Sequence, residues 1–518
     1  MSEPIYDLAV IGGGINGAGI ARDAAGRGLR VVLFEQHDLA AHTSSASTKL
    51  IHGGLRYLEH FEFMLVRKAL QEREVILKNA PHITWPMRFV VPHNSAVRPE
   101  WMVRAGLFLY DHLARRERLP DSETVDLRQH EAGQPLRGDY RTGFIYSDGW
   151  VDDARLVLLN ALDAQERGAR IHTRACVTSA QRHAQHWDLS VQQGSDLRHW
   201  QARAVVNAAG PWAGSVLSHT LRVSSQHRLR LVKGSHIVVP ALFQHDYAYL
   251  FQNEDNRVIF AIPYEGRFTL IGTTDVDYDA DAGAVSASSD EVQYLCAMAS
   301  RYFARTLDPS EVVHSYAGVR PLLEDEAGDA SSTTRDYWLE LNTEAAPLLS
   351  VLGGKITTYR KLAEEALHVL APYFGSGAQG WTHAAALPGG DMPDADFAAY
   401  LERAAQRWPW LPASLLKRYA HAYGTRLVHV IDNAQSLHDL GPEYAPGVHE
   451  AELHYARTVE FCQHGDDFLW RRSKLGLHLT AHEWPRVKRG VAACSGRPTV
   501  GTDPGATELD AGRCSLLG

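Results

Sequence analysis

Residues 7–35 read DLAVIGGGINGAGIARDAAGRGLRVVLFE, and this stretch decides the fold. The pattern predicts a strand over Leu8–Ile11, a glycine turn, a helix, and a second strand over Val31–Phe34 ending on Glu35. The turn holds G-x-G-x-x-G as Gly12, Gly14 and Gly17. Such glycines allow a tight turn, a backbone close enough to touch a pyrophosphate, and a close helix–strand approach. The helix that follows aims its unpaired N–H groups and positive dipole end at those phosphates. Glu35 lies 23 residues beyond Gly12, near the spacing of about 20 at which a carboxylate meets an adenosine ribose. A lone G-x-G-x-x-G also occurs in ordinary βα turns. With strand, helix and acid all in place, it reads as a dinucleotide site.

Working outward, the 518 residues suit about three domains. Hydrophobic content of 45% with 22% charged residues belongs to an ordinary globular protein with more than one core. A net charge of −9 argues against nucleic acid as a partner. The five cysteines (Cys176, Cys296, Cys462, Cys494, Cys514) are scattered and form no C-x-x-C, which favours reduced thiols and a cytoplasmic compartment. The first strand starts too early for a signal peptide. No apolar run reaches the roughly 18 residues of a membrane span.

Past Glu35, a small-residue loop, His42–Lys49, leads to Ile51-His-Gly-Gly-Leu-Arg-Tyr57. Residues 61–79 and 100–117 have helical periodicity. Ala204–Asn207 reads as a buried strand before the turn at Gly210. Short apolar runs at Arg230–Val239, Tyr249–Phe251, Val258–Ile262 and Phe268–Ile271, separated by turn residues, read as an antiparallel meander. Dinucleotide-type elements return at Ser315–Pro321 and Leu349–Tyr359.

The expected class is therefore α/β: a Rossmann-like dinucleotide domain with an interleaved antiparallel β-sheet substrate domain and a C-terminal helical domain. The first domain is expected to comprise 1–80, 145–230 and 315–388, and the second 81–144 and 231–314. Residues 389–494 form the helical domain, and 495–518, rich in Gly, Pro, Thr and Asp, a disordered tail.

Histidine richness calls for a metal test. His449 and His454 stand at i and i+5, which does not share a helix face as i and i+4 does. No metal is expected. Gly353-Gly-Lys355-Ile-Thr357 lacks the Ser/Thr that follows the lysine of a P-loop, and there is no G-x-S-x-G. What remains is a set of cations beside glycine turns: Arg56, Arg320, Arg335 and Lys355. Each suits either a structural ion pair or an anionic substrate, and four together favour the substrate. His236, opening an apolar strand, suits equally a general base and a hydrogen-bonded core histidine.

These segments together closely resemble the FAD-dependent (aerobic, respiratory) glycerol-3-phosphate dehydrogenases, within the D-amino-acid-oxidase-like flavoproteins. The resemblance covers about residues 5–480. Its motifs are IGGGINGAGIARDAAGRGL (11–29), TSSASTKLIHGGLRYLEH (43–60), YSDGWVDDARL (146–156), NAAGPW (207–212) and LVKGSHIVVP (231–240). It continues through IGTTDVDY (271–278), GVRPL (318–322), TRDY (334–337), GGKITTYRKLAE (353–364) and DDFLWRRSKLGL (466–477).

The resemblance implies oxidation of sn-glycerol 3-phosphate at C2 to dihydroxyacetone phosphate, with electrons passing to FAD and then to quinone. It places FAD against Gly12, Gly14, Asn16, Gly17 and Glu35, and along the loop at Thr43, Ser44, Ser45, Ser47, Thr48, His52, Gly53 and Gly54. Ala209, Gly210, Trp212, Gly318, Gly354, Lys355 and Thr357 complete that set. Arg56 and Arg335 would grip the phosphate beside Tyr57, and Arg320 would steady the C2 oxygen. Lys355, among cations, is favoured as the base that takes the hydroxyl proton, with His236 as runner-up. A lysine there would also serve to neutralise reduced flavin.

Electron delivery to quinone implies peripheral contact with lipid on the inner face of the cytoplasmic membrane. Trp101–Tyr110 suits an interfacial helix or an ordinary buried one. A homodimer is left open. The rival readings are an oxidase using oxygen, an FAD-dependent hydroxy or amino acid dehydrogenase, and a flavin-binding module without turnover.

Overall fold

The computed structural model describes residues 5–93, 99–253, 257–324, 336–375 and 380–494, with only the backbone of Arg56 and His60. Strand β1 (Tyr6–Ile11), helix α1 (Ile15–Gly26) and strand β2 (Val31–Glu35) form where the glycine motif predicts them. β1 pairs in parallel with β2 and with Asp196–Asn207, which pairs in parallel with Leu348–Gly353. Arg170–Thr173 extends the sheet beyond β2, and Tyr337–Asn342 closes its far edge antiparallel. β1 and β2 are almost wholly apolar because both faces of the sheet are covered. Helix α1 packs with helices Asp153–Glu166 and Tyr359–Phe374 over one face. The antiparallel hairpin of Ala175–Arg182 and Trp187–Gln193 helps cover the other.

A second sheet of ten strands is built from two separated stretches of chain. Leu229–Pro240, Phe268–Gly272, Val258–Tyr264 and Ala248–Gln252 form the expected antiparallel meander. Ala248–Gln252 then joins Thr84–Pro92 in parallel, and Thr84–Pro92 pairs with Thr142–Val151.

Three expectations are corrected here. His314–Leu323, expected among the dinucleotide elements, pairs along its length with Leu229–Pro240 and belongs to the second sheet. Thr142–Val151 runs unbroken across the junction placed between 144 and 145, because one hydrogen-bonded ladder to Thr84–Pro92 spans it. The helix expected over 100–117 ends at His112, beyond which Arg116 turns back to pair with Asp111 at 2.9 Å. Helix α2 (Phe63–Asn79) and helix α3 (Glu100–His112) lie beside the second sheet.

From Phe397 to Ala493 the chain is mostly helical. Buried ion pairs fasten this region to the first sheet's domain: Arg472 to Asp38 (2.6 Å), Arg155 to Glu460 (2.7 Å) and Lys474 to Asp152 (3.0 Å). The tail expected after 494 lies outside the described residues. Among those described, no helix is long and apolar enough to cross a membrane.

Candidate functional site

The turn between β1 and α1 is a backbone surface made possible by missing side chains. Gly12 has φ +112°, and a Cβ there would meet the Ala208 carbonyl oxygen at 2.5 Å. A Cβ on Gly17 would lie 1.9 Å from the Gly12 oxygen, so α1 could not approach the turn. Glu35 reaches back from the end of β2, and its two oxygens accept from the N–H groups of Gly13 and His37, both at 2.7 Å. Burial pushes its carboxyl upward, opposed by those two donors. Ser44 closes over the turn, its hydroxyl accepting the Ile15 N–H at 3.0 Å.

From this turn a cavity of about 440 Å³ runs toward the second sheet. Gly12, Gly14 and Glu35 line one part; His52, Tyr57, His236, Arg320 and Lys355 line another. Arg320 enters from strand His314–Leu323, held by Asp275 and, at 2.9 Å, by the Thr273 hydroxyl. His236 is 1% exposed and stacks on Tyr316 with ring centroids 4.9 Å apart. Its Nε2 lies 3.0 Å from the Thr48 hydroxyl, while Nδ1 is buried without a partner. Burial, then the Arg320 and Lys49 cations, hold the imidazole well below its usual pKa, so it is neutral at pH 7.

Lys355 follows strand Leu348–Gly353 and donates from Nζ to the His52 carbonyl at 2.6 Å. The ring of Tyr57 lies 5.5 Å from the same Nζ. Behind this corner sits a buried cluster. The Gly53 N–H donates to the Tyr110 hydroxyl at 2.8 Å, Tyr110 donates to Asp148 at 2.8 Å, and Arg73 pairs with Asp148 at 2.7 Å. Burial raises the pKa of Asp148 against the pull of Arg73. The cluster fixes the turn whose carbonyl holds Lys355.

Most residues expected at the cofactor do line this cavity: Gly12, Gly14, Asn16, Glu35, Thr43, Ser44, Ser47, Thr48, His52, Ala209, Gly210, Trp212, Gly318, Gly354 and Lys355. Five expected there instead support the wall from behind. Gly17 packs on Gly12, the Ser45 carbonyl accepts from Lys49, and Gly53 bonds Tyr110. Gly54 makes room for the Tyr57 ring, and Thr357 accepts the His52 N–H at 3.2 Å. Ser47, though in the wall, commits its hydroxyl to Asp153 at 2.7 Å. Arg335 and the side chain of Arg56 lie outside the described residues.

Sequence reading missed Thr273 and Asp275, which hold Arg320, although both stand in the quoted IGTTDVDY run. It also missed His42, Phe260 and the cluster of Arg73, Tyr110 and Asp148. His42 packs edge-on to Trp212 at 4.7 Å, and burial with the neighbouring His37 holds it at about 4. Neither His449 nor His454 joins a possible metal-binding group among the described residues.

The cavity suits FAD on this chain's own evidence. It joins a phosphate-type turn to a cationic chamber, and Asn16 Oδ1, buried in its wall, has no hydrogen-bond partner. The sequence matches the family described as FAD dependent oxidoreductase over residues 7–360, and the C-terminal domain of alpha-glycerophosphate oxidase over 381–497. It is 51% identical to a glycerol-3-phosphate dehydrogenase of Pseudomonas aeruginosa, covering 93% of this chain and 94% of that one. It is 50% identical to a D-erythritol 1-phosphate dehydrogenase of Brucella abortus, covering 93% and 97%. The crystal structure of a Bacillus halodurans glycerol-3-phosphate dehydrogenase complexed with FAD superposes with a TM-score of 0.74, at 28% identity over 95% of each chain. A family match across more than half the sequence, and half-identical relatives along nearly all of it, show that this chain belongs to the FAD dependent oxidoreductases, among the glycerol-3-phosphate dehydrogenases.

Proposed function

We propose that this enzyme oxidises sn-glycerol 3-phosphate at C2 to dihydroxyacetone phosphate and passes the electrons to a membrane quinone. The observation that carries the reading is the meeting, in one cavity, of the glycine-built wall with Lys355, Arg320 and His236. Bound FAD supplies the hydride acceptor. Arg320, anchored by Asp275 and Thr273, orients the C2 oxygen and stabilises its developing charge. The hydroxyl proton goes to Lys355 Nζ in its neutral amine form, fixed by the His52 carbonyl, with the buried neutral His236 as the alternative acceptor. Arg56, Arg335 and Tyr57 are assigned to the phosphate, the two arginines as guanidinium forks.

A four-carbon polyol phosphate is a second reading. The erythritol phosphate relative is about as similar as the glycerol phosphate one, and both substrates carry a phosphate and hydroxyl groups that the same cations could hold.

Lipid contact is assigned to one side of the second sheet's domain. There Phe61 (78% exposed) and Met64 (74%) precede and open α2, and Trp101 (68%) and Phe108 (64%) stand on α3. Helix α3 packs against the 3-10 turn Leu55–His60 that leads to Phe61, so these side chains belong to one region. On this reading the enzyme works at the cytoplasmic face of the membrane.

Anaerobic mixing of the purified yellow enzyme with each polyol phosphate tests the assignment. Rapid loss of flavin absorbance near ~450 nm with glycerol 3-phosphate, with dihydroxyacetone phosphate as product, is expected. Bleaching only by erythritol phosphate would select the second reading, and bleaching by neither would end both. Coupling to a quinone analogue, rather than peroxide formation in air, is the expected result for the acceptor.

A further inference from the structure

In the first sheet's domain, the turn between strands Ala175–Arg182 and Trp187–Gln193 carries His183 and His186, and the second strand opens with Trp187 and Asp188. His183 Nε2 lies 2.9 Å from Asp188 Oδ2, and His186 Nε2 lies 3.6 Å from Asp188 Oδ1. One donor atom from each of the three falls within 4.8 Å of the other two. A hydrogen bond explains the first distance. The second is too long for one, yet His186 faces the other carboxylate oxygen while its ring stacks on His183 at 4.5 Å. In a tetrahedral site with bonds of about 2.0–2.1 Å, neighbouring donors stand about 3.3 Å apart. The separations from the two histidines to Asp188, one to each carboxylate oxygen, are within half an ångström of that spacing.

The surrounding structure holds the donors in place. The His183 N–H donates to the His186 carbonyl at 2.9 Å, and the His183 carbonyl accepts the Ala346 N–H at 3.0 Å. Trp187, between the two donors His186 and Asp188, is fully buried and donates to the Pro347 carbonyl at 3.1 Å. Gln201 donates to Asp188 Oδ1 at 2.8 Å, an outer contact of the kind that orients a ligating carboxylate. The three side chains are one third to two fifths exposed, so water can fill the remaining coordination positions.

We propose that His183, His186 and Asp188 bind one divalent transition-metal ion, with Zn²⁺ as the best match, and that the ion clamps this hairpin. Two imidazoles and a carboxylate select Zn²⁺ or its neighbours over Mg²⁺ and Ca²⁺, which prefer all-oxygen shells. None of the three residues lines the flavin cavity, so the ion stabilises the fold and takes no part in hydride transfer.

Tag-free holoenzyme, treated with chelator and desalted, is titrated calorimetrically with ZnCl₂ and, separately, with MgCl₂. One Zn²⁺ per chain is expected to bind and raise the thermal midpoint, with no response to Mg²⁺. His186→Ala and Asp188→Asn are each expected to weaken Zn²⁺ binding by more than about tenfold and to abolish the thermal shift, at unchanged flavin content and turnover. The chain has 27 histidines, so the comparison of variants decides. Equal Zn²⁺ affinity in the wild type and both variants, no Zn²⁺ binding, or equal binding of Mg²⁺ would overturn the site.

Discussion

The first sheet's share of the cavity wall is mostly backbone, while the second sheet's share is mostly side chains. Around Gly12, the chain omits side chains so that main-chain atoms reach the cavity surface. Around His236 and Arg320, it does the reverse. Imidazole and guanidinium project from a ladder of strands, each tied to a neighbour such as Thr48 or Thr273. A backbone wall can hold a cofactor tightly while remaining indifferent to the reaction. A side-chain wall can be altered without loss of the cofactor, and on the proposed function it decides which hydroxyl is oxidised.

Gly12→Val should break the backbone wall most severely. Its Cβ has no space and its φ is unfavourable for an L-residue, so the purified protein should be colourless, with FAD content near zero. A yellow variant with a full complement of FAD would dissolve the distinction between the two walls. Lys355→Met acts where the walls meet. It should retain FAD while anaerobic flavin reduction slows by about 10²–10³-fold, the usual loss for a proton acceptor.

Tyr110→Phe probes the support behind that corner. It removes the nearer acceptor of the Gly53 N–H, which keeps only Asp148 Oδ1 at 3.4 Å, and a donor to Asp148. A loss of about tenfold in reduction rate, at full flavin content, is expected from one such defect. Unchanged reduction would remove Tyr110 from the positioning of Lys355.

The smallest effect is a pH dependence of stability. His236 and His82 are buried and held neutral, well below the ordinary histidine pKa of 6.5, with burial the leading cause. The unfolded chain therefore binds protons that the folded one refuses. Stability from these groups is fully present above about pH 6.5. It falls by about 1.4 kcal/mol per pH unit for each histidine below that value. Denaturant midpoints at pH 7.5 and 5.5 measure it, and a flat profile would contradict the burial.

The same contrast explains what could be read in advance. The glycine motif was legible because its strand, turn, helix and acid lie within 29 consecutive residues and obey local geometry. Glu35 was found by spacing, although its bonds to Gly13 and His37 were not. The Arg73, Tyr110 and Asp148 cluster left no such trace, since its members meet across 38 and 75 residues of chain. Sequence alone does not assign His314–Leu323 to the second sheet rather than the first, because a short run around a glycine reads alike in either. Only its register with Leu229–Pro240 distinguishes them. His183, His186 and Asp188 show no helical spacing, because a hairpin brings them together instead.

The division between the walls is tested most directly by one paired measurement on Arg320→Ala: bound FAD per chain, and the rate of anaerobic flavin reduction by glycerol 3-phosphate. The predicted result is wild-type FAD content with reduction slowed by about a thousandfold, because the side chain proposed to hold the C2 oxygen is gone and the backbone wall is intact. Loss of FAD, or reduction within about threefold of wild type, would contradict it.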